Sequence, residues 1–228
     1  MEQDIKSHEV QTRERYKDID YAKQYKNDYV SSLNFKGLKS RIIARKEIKI
    51  IQLFLDKIIK KDMTVMDIPC GTGKLGSTLS KHPIKIIAAD ISESMLDLAK
   101  NEYLVDKTKY KIMDATKISY QSHFFDTIVC LRLFQRLPSS TRKKILSEFN
   151  RVGKNYLIIS YSFNSIWQKY RYKLKRAINE KAPKFFSETK SNIIIELNSS
   201  GFDVLNSKLV LKYLSSEIIF LAKKKEKK

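Results

Sequence analysis

Between Thr64 and Tyr161, short continuous apolar runs alternate with stretches whose apolar residues recur three or four apart. Runs of the first kind read as strands buried on both faces, and those of the second kind as amphipathic helices. Val65, Met66 and Ile68 end the first run, and Pro69 cannot continue a central strand because it has no N–H to donate. Gly71 and Gly73 then allow a tight turn, and Leu75 and Leu79 follow at helical spacing. Further strands are predicted over residues 85–90, 110–115, 124–130 and 155–160. Ser92 is placed to cap a helix carrying Met95, Leu96 and Ala99, and Ser139 or Ser140 one carrying Ile145, Phe149 and Val152. Ser187 is placed to cap a helix with Ile193, Ile194 and Leu197, which Gly201 ends. Residues 202–205 and 217–221 read as a closing antiparallel pair. Ahead of this alternation, Ile43, Ile50, Ile51, Phe54 and Ile58 form the apolar stripe of a helix starting near Ser40. Tyr21, Tyr25 and Tyr29 share one face of an earlier helix. Within 165–181, Ile166, Trp167, Tyr170, Leu174 and Ile178 fall on one stripe among Lys169, Arg171, Lys173, Lys175 and Arg176. The first reading is a core-packed helix with a lysine-rich outer face; the second is a basic amphipathic helix suited to an anionic membrane surface or a phosphorylated acceptor.

The strand, glycine turn and helix around Met66–Gly73 form the usual nucleotide site of an α/β sheet. Gly71-x-Gly73-x-x-Gly76 matches the dinucleotide fingerprint literally, a weak signal alone. A phosphate loop is excluded, because Ile68 replaces its first glycine and Leu75 its magnesium-binding Ser or Thr. Asp67 decides between ligands. Its carboxylate would repel a pyrophosphate and suits an ammonium, and S-adenosylmethionine carries an α-ammonium and a sulfonium but no phosphate. Asp90 ends the second strand about twenty residues past the turn, where an acid can accept both ribose hydroxyls. Met95 is placed against the adenine, and Asp114 to accept from its amino group.

Five markers in this order resemble the class I S-adenosylmethionine-dependent methyltransferases, in the ubiquinone/menaquinone-type group. They are Asp67 to Gly73, Asp90, Asp114-Ala115, Phe124 to Cys130, and Leu133-Phe134-Gln135-Arg136-Leu137-Pro138. The departures are Pro69 in place of a glycine, and Gln135-Arg136 in place of histidines. The resemblance implies a Rossmann-like three-layer α/β sandwich with a mostly parallel seven-stranded sheet and an antiparallel last strand. It implies S-adenosylmethionine as cofactor, bound by Asp67, Ile68, Pro69, Cys70, Gly71, Gly73, Asp90, Ile91, Met95, Asp114, Ala115 and Leu131. It also implies a helical lid over residues 1–39, for which a surface helix docked on the core is the other reading, and a methyltransferase domain over 40–222 with a 165–186 insertion for acceptor recognition; the basic run over 223–228 reads as a solvated tail. Arg45 reads first as a solvated arginine and second as one in reach of the cofactor carboxylate; Arg132, Gln135 and Arg136 are placed to orient an acidic or phosphorylated acceptor, or equally to lie on a helix surface. No catalytic base is assigned: His8, His82 and His123 all fall away from the strand C-termini. No acidic cluster suggests a metal.

The chain of 228 residues suffices for one α/β domain. Its polar start and lack of a long apolar run read as neither leader nor membrane span. Cys70 and Cys130 fit a buried role in a reducing cytoplasm and are too few for zinc or a disulfide framework. The formal charge of +20 has two readings: attraction to nucleic acid, anionic lipid or acidic substrates, or the lysine-rich composition of an AT-rich genome. The leading expectation is methyl transfer to a small-molecule or lipid-linked acceptor, from the cytoplasm with peripheral contact at an anionic membrane. RNA or other nucleic-acid methylation, and a non-catalytic cofactor-binding module, are the alternatives. The first has only charge in its support, and the second is opposed by intact Asp67, Gly71, Gly73 and Asp90.

Overall fold

The computed structural model describes Asp20, Lys23 and residues 35–164, 186–212 and 215–226. The tyrosine helix and the basic helix expected over 165–181 lie outside the described residues. In chain order the elements are α1 (Phe35–Ile58), β1 (Thr64–Asp67), α2 (Gly76–Leu79), β2 (Lys85–Asp90), α3 (Glu93–Ala99), β3 (Thr108–Ile112) and β4 (Phe125–Cys130). They continue with α4 (Ser139–Val152), β5 (Gly153–Phe163), β6 (Ser187–Glu188), α5 (Lys190–Ser199), β7 (Phe202–Leu209) and β8 (Glu217–Lys224). The sheet runs β3-β2-β1-β4-β5-β8-β7, with two-residue β6 pairing separately on β5. Strands β1 to β6 are parallel, and β8 is antiparallel to both β5 and β7. This is the expected mostly parallel sheet, with β6 as an eighth strand that the sequence reading took for part of a helix start.

Alternation along the strands sends neighbouring side chains to opposite faces, and each face has its own core. Met66, Ile87, Ile128, Leu157 and Ile159 pack with Ile145 and Phe149 of α4 and Ile193 and Leu197 of α5. Val65, Ile86, Ala88, Val129 and Ile158 pack with Ile51, Phe54 and Leu55 of α1, Leu79 of α2 and Leu96 of α3. The result is a helix–sheet–helix sandwich. The stripe on α1 is buried from Ile50 onward, with Ile43 half-buried, and the helix begins at Phe35, across the expected boundary at residue 39. Ser92 caps α3, its hydroxyl accepting from the Met95 N–H at 3.2 Å. On α5 the cap is Thr189 rather than Ser187, because Ser187 is already committed to β6. Gly201 follows α5 at φ +87°, the left-handed conformation that suits glycine. Strand β8 extends through Lys224, into the expected solvated tail. There the Lys224 ammonium donates to the Gly153 carbonyl at 2.9 Å, and the Lys225 N–H donates to the Gly201 carbonyl.

Sequential strands run outward in opposite directions from β1 and β4. In an open α/β sheet a ligand crevice lies at that reversal, outside the strand carboxyl ends. Residues Asp67, Asp90 and Cys130 end the three strands that border it.

Candidate functional site

A cavity of about 380 Å³ opens at this reversal. Eleven of the twelve residues expected at a cofactor line it: Asp67, Ile68, Pro69, Cys70, Gly71, Asp90, Ile91, Met95, Asp114, Ala115 and Leu131. The twelfth, Gly73, does not. A Cβ there would lie 2.7 Å from the Glu102 Cβ, so this glycine makes room for the turn after α3 instead of for a ligand. Gly76 does the same, since its Cβ would meet the Glu102 carbonyl oxygen at 2.4 Å. Gly71 shares the positive φ of Gly73, at +54° against +85°, but nothing lies within 4 Å of where its Cβ would be, so the turn is open on the cavity side.

The floor is built from carboxylates held by nearby donors. Asp67 is buried at the end of β1 and accepts a hydrogen bond from the Tyr103 hydroxyl. Burial is the main cause that raises its pKa to about 7; the Tyr103 hydrogen bond opposes the rise and the Asp90 charge adds to it. One Asp90 oxygen accepts from the Gly71 N–H at 2.9 Å and the other from the Ser92 N–H at 3.0 Å. Burial raises the Asp90 pKa, while these N–H groups pull it back. The Asp114 Oδ1 accepts from both the N–H and the hydroxyl of Thr116 at 2.8 Å. Asp90 and Asp114 therefore pin the loops that carry them as well as facing the cavity.

The roof is a cluster of opposite charges. Glu47 of α1 is fully buried and pairs with the Lys74 ammonium and the Arg132 guanidinium, the Arg132 Nε donating at 2.8 Å. Glu217 of β8 lies 3.6 Å from the same Nε. Arg132 adopts φ +58°, rare for a residue with a side chain, and its N–H donates to the buried Ser160 hydroxyl at 2.8 Å. Burial, then the Arg132 charge, lowers the Lys74 pKa well below its ordinary value. Lys74, Arg132 and Arg136 line the cavity, together with apolar Ala44, Ile48, Met113, Leu133, Leu137 and Ile145.

Arg45 is exposed, in keeping with a solvated arginine, and does not line the cavity; Ala44 and Ile48 face it from the same helix. Gln135 does not line it either, and its carbonyl accepts from the Phe186 N–H. Sequence reasoning missed Lys74, which directly follows Gly73 in the turn, and Glu47, a charge inside an apolar helical stripe. That break in the stripe was the available signal. Cys130 is core, as expected, with its thiol pKa pushed up by burial. His82 and His123 lie away from the cavity, His82 near Asp56 and His123 near Lys224. Among the described residues, no group of three or more His, Cys, Asp or Glu is placed to hold a metal. Among them also, no helix is long and apolar enough to cross a membrane.

Comparison with known proteins agrees with this geometry. Residues 65–155 match the model of a methyltransferase domain family. The ubiquinone biosynthesis O-methyltransferase of Coxiella burnetii is 31% identical over 116 residues, covering 44% of this chain. The chain thus spans about half the length of the curated relatives it matches. Among solved structures, magnesium protoporphyrin IX methyltransferase from Synechocystis PCC 6803, with bound S-adenosylhomocysteine, superposes with TM-score 0.81 at 15% identity. That match covers 95% of this chain and 99% of the other. A methyltransferase from Methanosarcina mazei gives 0.64 at 18% identity, over 76% of this chain and 97% of its own. Strand order, the glycine turn and the family match converge: residues 65–155 match a methyltransferase domain, and the fold is the one these methyltransferase structures share.

Proposed function

We propose that the protein transfers a methyl group from S-adenosylmethionine to a small-molecule acceptor. The observation that carries this reading is the opening of the Asp67 and Asp90 carboxylates onto one cavity, beside an unobstructed Gly71 turn. A buried acid on the strand side and a bare glycine turn fit a ligand with an ammonium and no phosphate. In this reading Asp67 holds the α-ammonium and Asp90 the ribose hydroxyls. Each Asp90 oxygen accepts one backbone N–H and retains a further lone pair for a hydroxyl. Asp114 takes the adenine amino group, and Ile91, Met95, Ala115 and Leu131 surround the base. When bound, the cofactor supplies a sulfonium-activated methyl group for in-line displacement. The protein's own residues hold both partners in line and exclude water. Nothing in the cavity obliges a general base, and none is assigned.

The similar enzymes of ubiquinone biosynthesis and of magnesium protoporphyrin IX methylation take small-molecule acceptors, which supports the same class here. Lys74, Arg132 and Arg136 on the wall suit an acidic acceptor. A cytoplasmic protein touching an anionic membrane surface fits the formal charge of +20. Calorimetry tests the cofactor assignment directly: S-adenosylmethionine and S-adenosylhomocysteine should bind and NAD should not. Asp67→Ala should abolish that binding, because a buried charge-assisted contact is lost. Equal binding by wild type and variant would overturn the assignment.

A further inference from the structure

Asp67 takes its hydrogen bond from a residue 36 positions away that no motif includes. Tyr103 follows α3 and is 5% exposed, its ring edge-on to Tyr110 at 6.0 Å between centroids. Burial, then the Asp67 charge, raises the Tyr103 pKa well above its ordinary value, so the phenol stays protonated and acts as the donor. Two glycines make the approach possible. A Cβ on Gly73 would overlap the Glu102 side chain, and one on Gly76 would overlap the Glu102 carbonyl and touch the Tyr103 ring at 3.0 Å. The turn after α3 is therefore seated against the glycine turn by the absence of two side chains, and that seating delivers the phenol to Asp67.

We infer that Tyr103 is the positioning residue of this site, fixing the direction and the charge state in which the Asp67 carboxylate meets an ammonium-bearing ligand. The inference rests on the cofactor reading above. The other titratable groups around Asp67 all oppose its ionisation or stay neutral. Asp90 adds like charge, and Cys70 and Cys130 are held as thiols by burial. Among these groups only the Tyr103 hydroxyl supports the carboxylate form. Without it Asp67 would hold its proton to higher pH and would present an O–H to an ammonium.

The test is the dissociation constant of S-adenosylhomocysteine, which carries the α-ammonium, measured by calorimetry from pH 6.0 to 8.5. Titration of the ligand's own amine is common to wild type and variant, so it cancels in the ratio of their constants. For Tyr103→Phe against wild type, that ratio should be at least threefold larger at pH 6.0 than at pH 8.5. Incorporating 3-fluorotyrosine at position 103 keeps the shape, strengthens the donor and should move the profile the opposite way. A ratio independent of pH in both variants would reduce Tyr103 to a packing residue and overturn the inference. Should Tyr103→Phe fail to fold, the fluorinated protein decides alone. Failure of the wild type to bind S-adenosylhomocysteine at any pH would instead reject the cofactor reading, and this inference with it.

Discussion

The floor and the roof of the cavity are both made of charge, yet they are built by opposite strategies. On the floor, apart from Asp67 and its donor Tyr103, 36 residues on, partners are close in sequence: Asp90 with Ser92, Asp114 with Thr116, and Gly71 with Asp90 nineteen residues on. Most of these bonds run from backbone N–H groups to a carboxylate, so the loop geometry and the acid specify each other. On the roof, partners are distant: Glu47 with Lys74 at 27 residues and with Arg132 at 85. Side chain meets side chain across α1, the glycine turn and the segment after β4. A local carboxylate anchor forms with its loop, whereas the roof exists only once the helix preceding the sheet has docked. The roof thus reports on tertiary assembly and the floor on ligand chemistry.

The sharpest way to break this contrast is Glu47→Ala. It leaves Lys74 and Arg132 without their fully buried carboxylate, and Glu217 is a more distant substitute at 3.6 Å from Arg132. Removing one member of a buried pair costs about 3–5 kcal/mol, because the remaining charge stays desolvated. Urea denaturation should show that loss. A change under about 1 kcal/mol, the scale of an exposed ion pair, would make the roof a solvated cluster.

The next largest effect separates Asp67 from every other floor acid. Its pKa in the folded chain is about 7, against a reference of 3.8. Below that reference both folded and unfolded states hold the proton, and the group's stabilising preference for the protonated folded form is fully present. As pH rises from about 4 to 7 the unfolded chain sheds the proton first, so this contribution is lost. The full span is on the order of 4 kcal/mol. Asp67→Asn keeps the shape and cannot ionise. Its melting temperature should match wild type near pH 4 and exceed it clearly at pH 8. A gap of equal size at both pH values would show that Asp67 is not the titrating group.

Legibility in the sequence follows the same division. The strand alternation, the Ser92 cap, the glycine turn and the acids at 67, 90 and 114 are local patterns of period, turn chemistry and spacing. Each was readable from a window of a few residues. Glu47, Tyr103 and the left-handed backbone of Arg132 were not, because their meaning depends on partners 27 to 85 residues away. The β6 strand escaped for a related reason: two residues carry no periodicity, and only the edge that β5 offers turns them into a strand. Gly73 and Gly76 were legible as turn glycines, but what packs beside them was not. The fingerprint suggests ligand approach, while the space is filled by the 102–103 turn.

The smallest effect sharpens the comparison most, because Asp90 belongs to both of the floor's tasks. It faces the cavity, and it also accepts from the Gly71 and Ser92 N–H groups. Asp90→Ala should weaken S-adenosylhomocysteine by about 1.5–3 kcal/mol, the scale of hydrogen bonds to a charged group. That is roughly a 10- to 150-fold rise in Kd. It should also lower the melting temperature, since two backbone donors lose their acceptor at a turn and at a helix start. Asp90→Asn keeps one acceptor oxygen but replaces the other with an N–H2 that cannot accept. It should therefore fall between wild type and the alanine variant in both readouts. The two measurements distinguish the tasks. A lower melting temperature with an unchanged Kd would make Asp90 purely the anchor of the glycine turn, and would place the ribose against other residues. A raised Kd with an unchanged melting temperature would mean that water replaces the carboxylate at Gly71 and Ser92, and that Asp90 is there for the ligand alone.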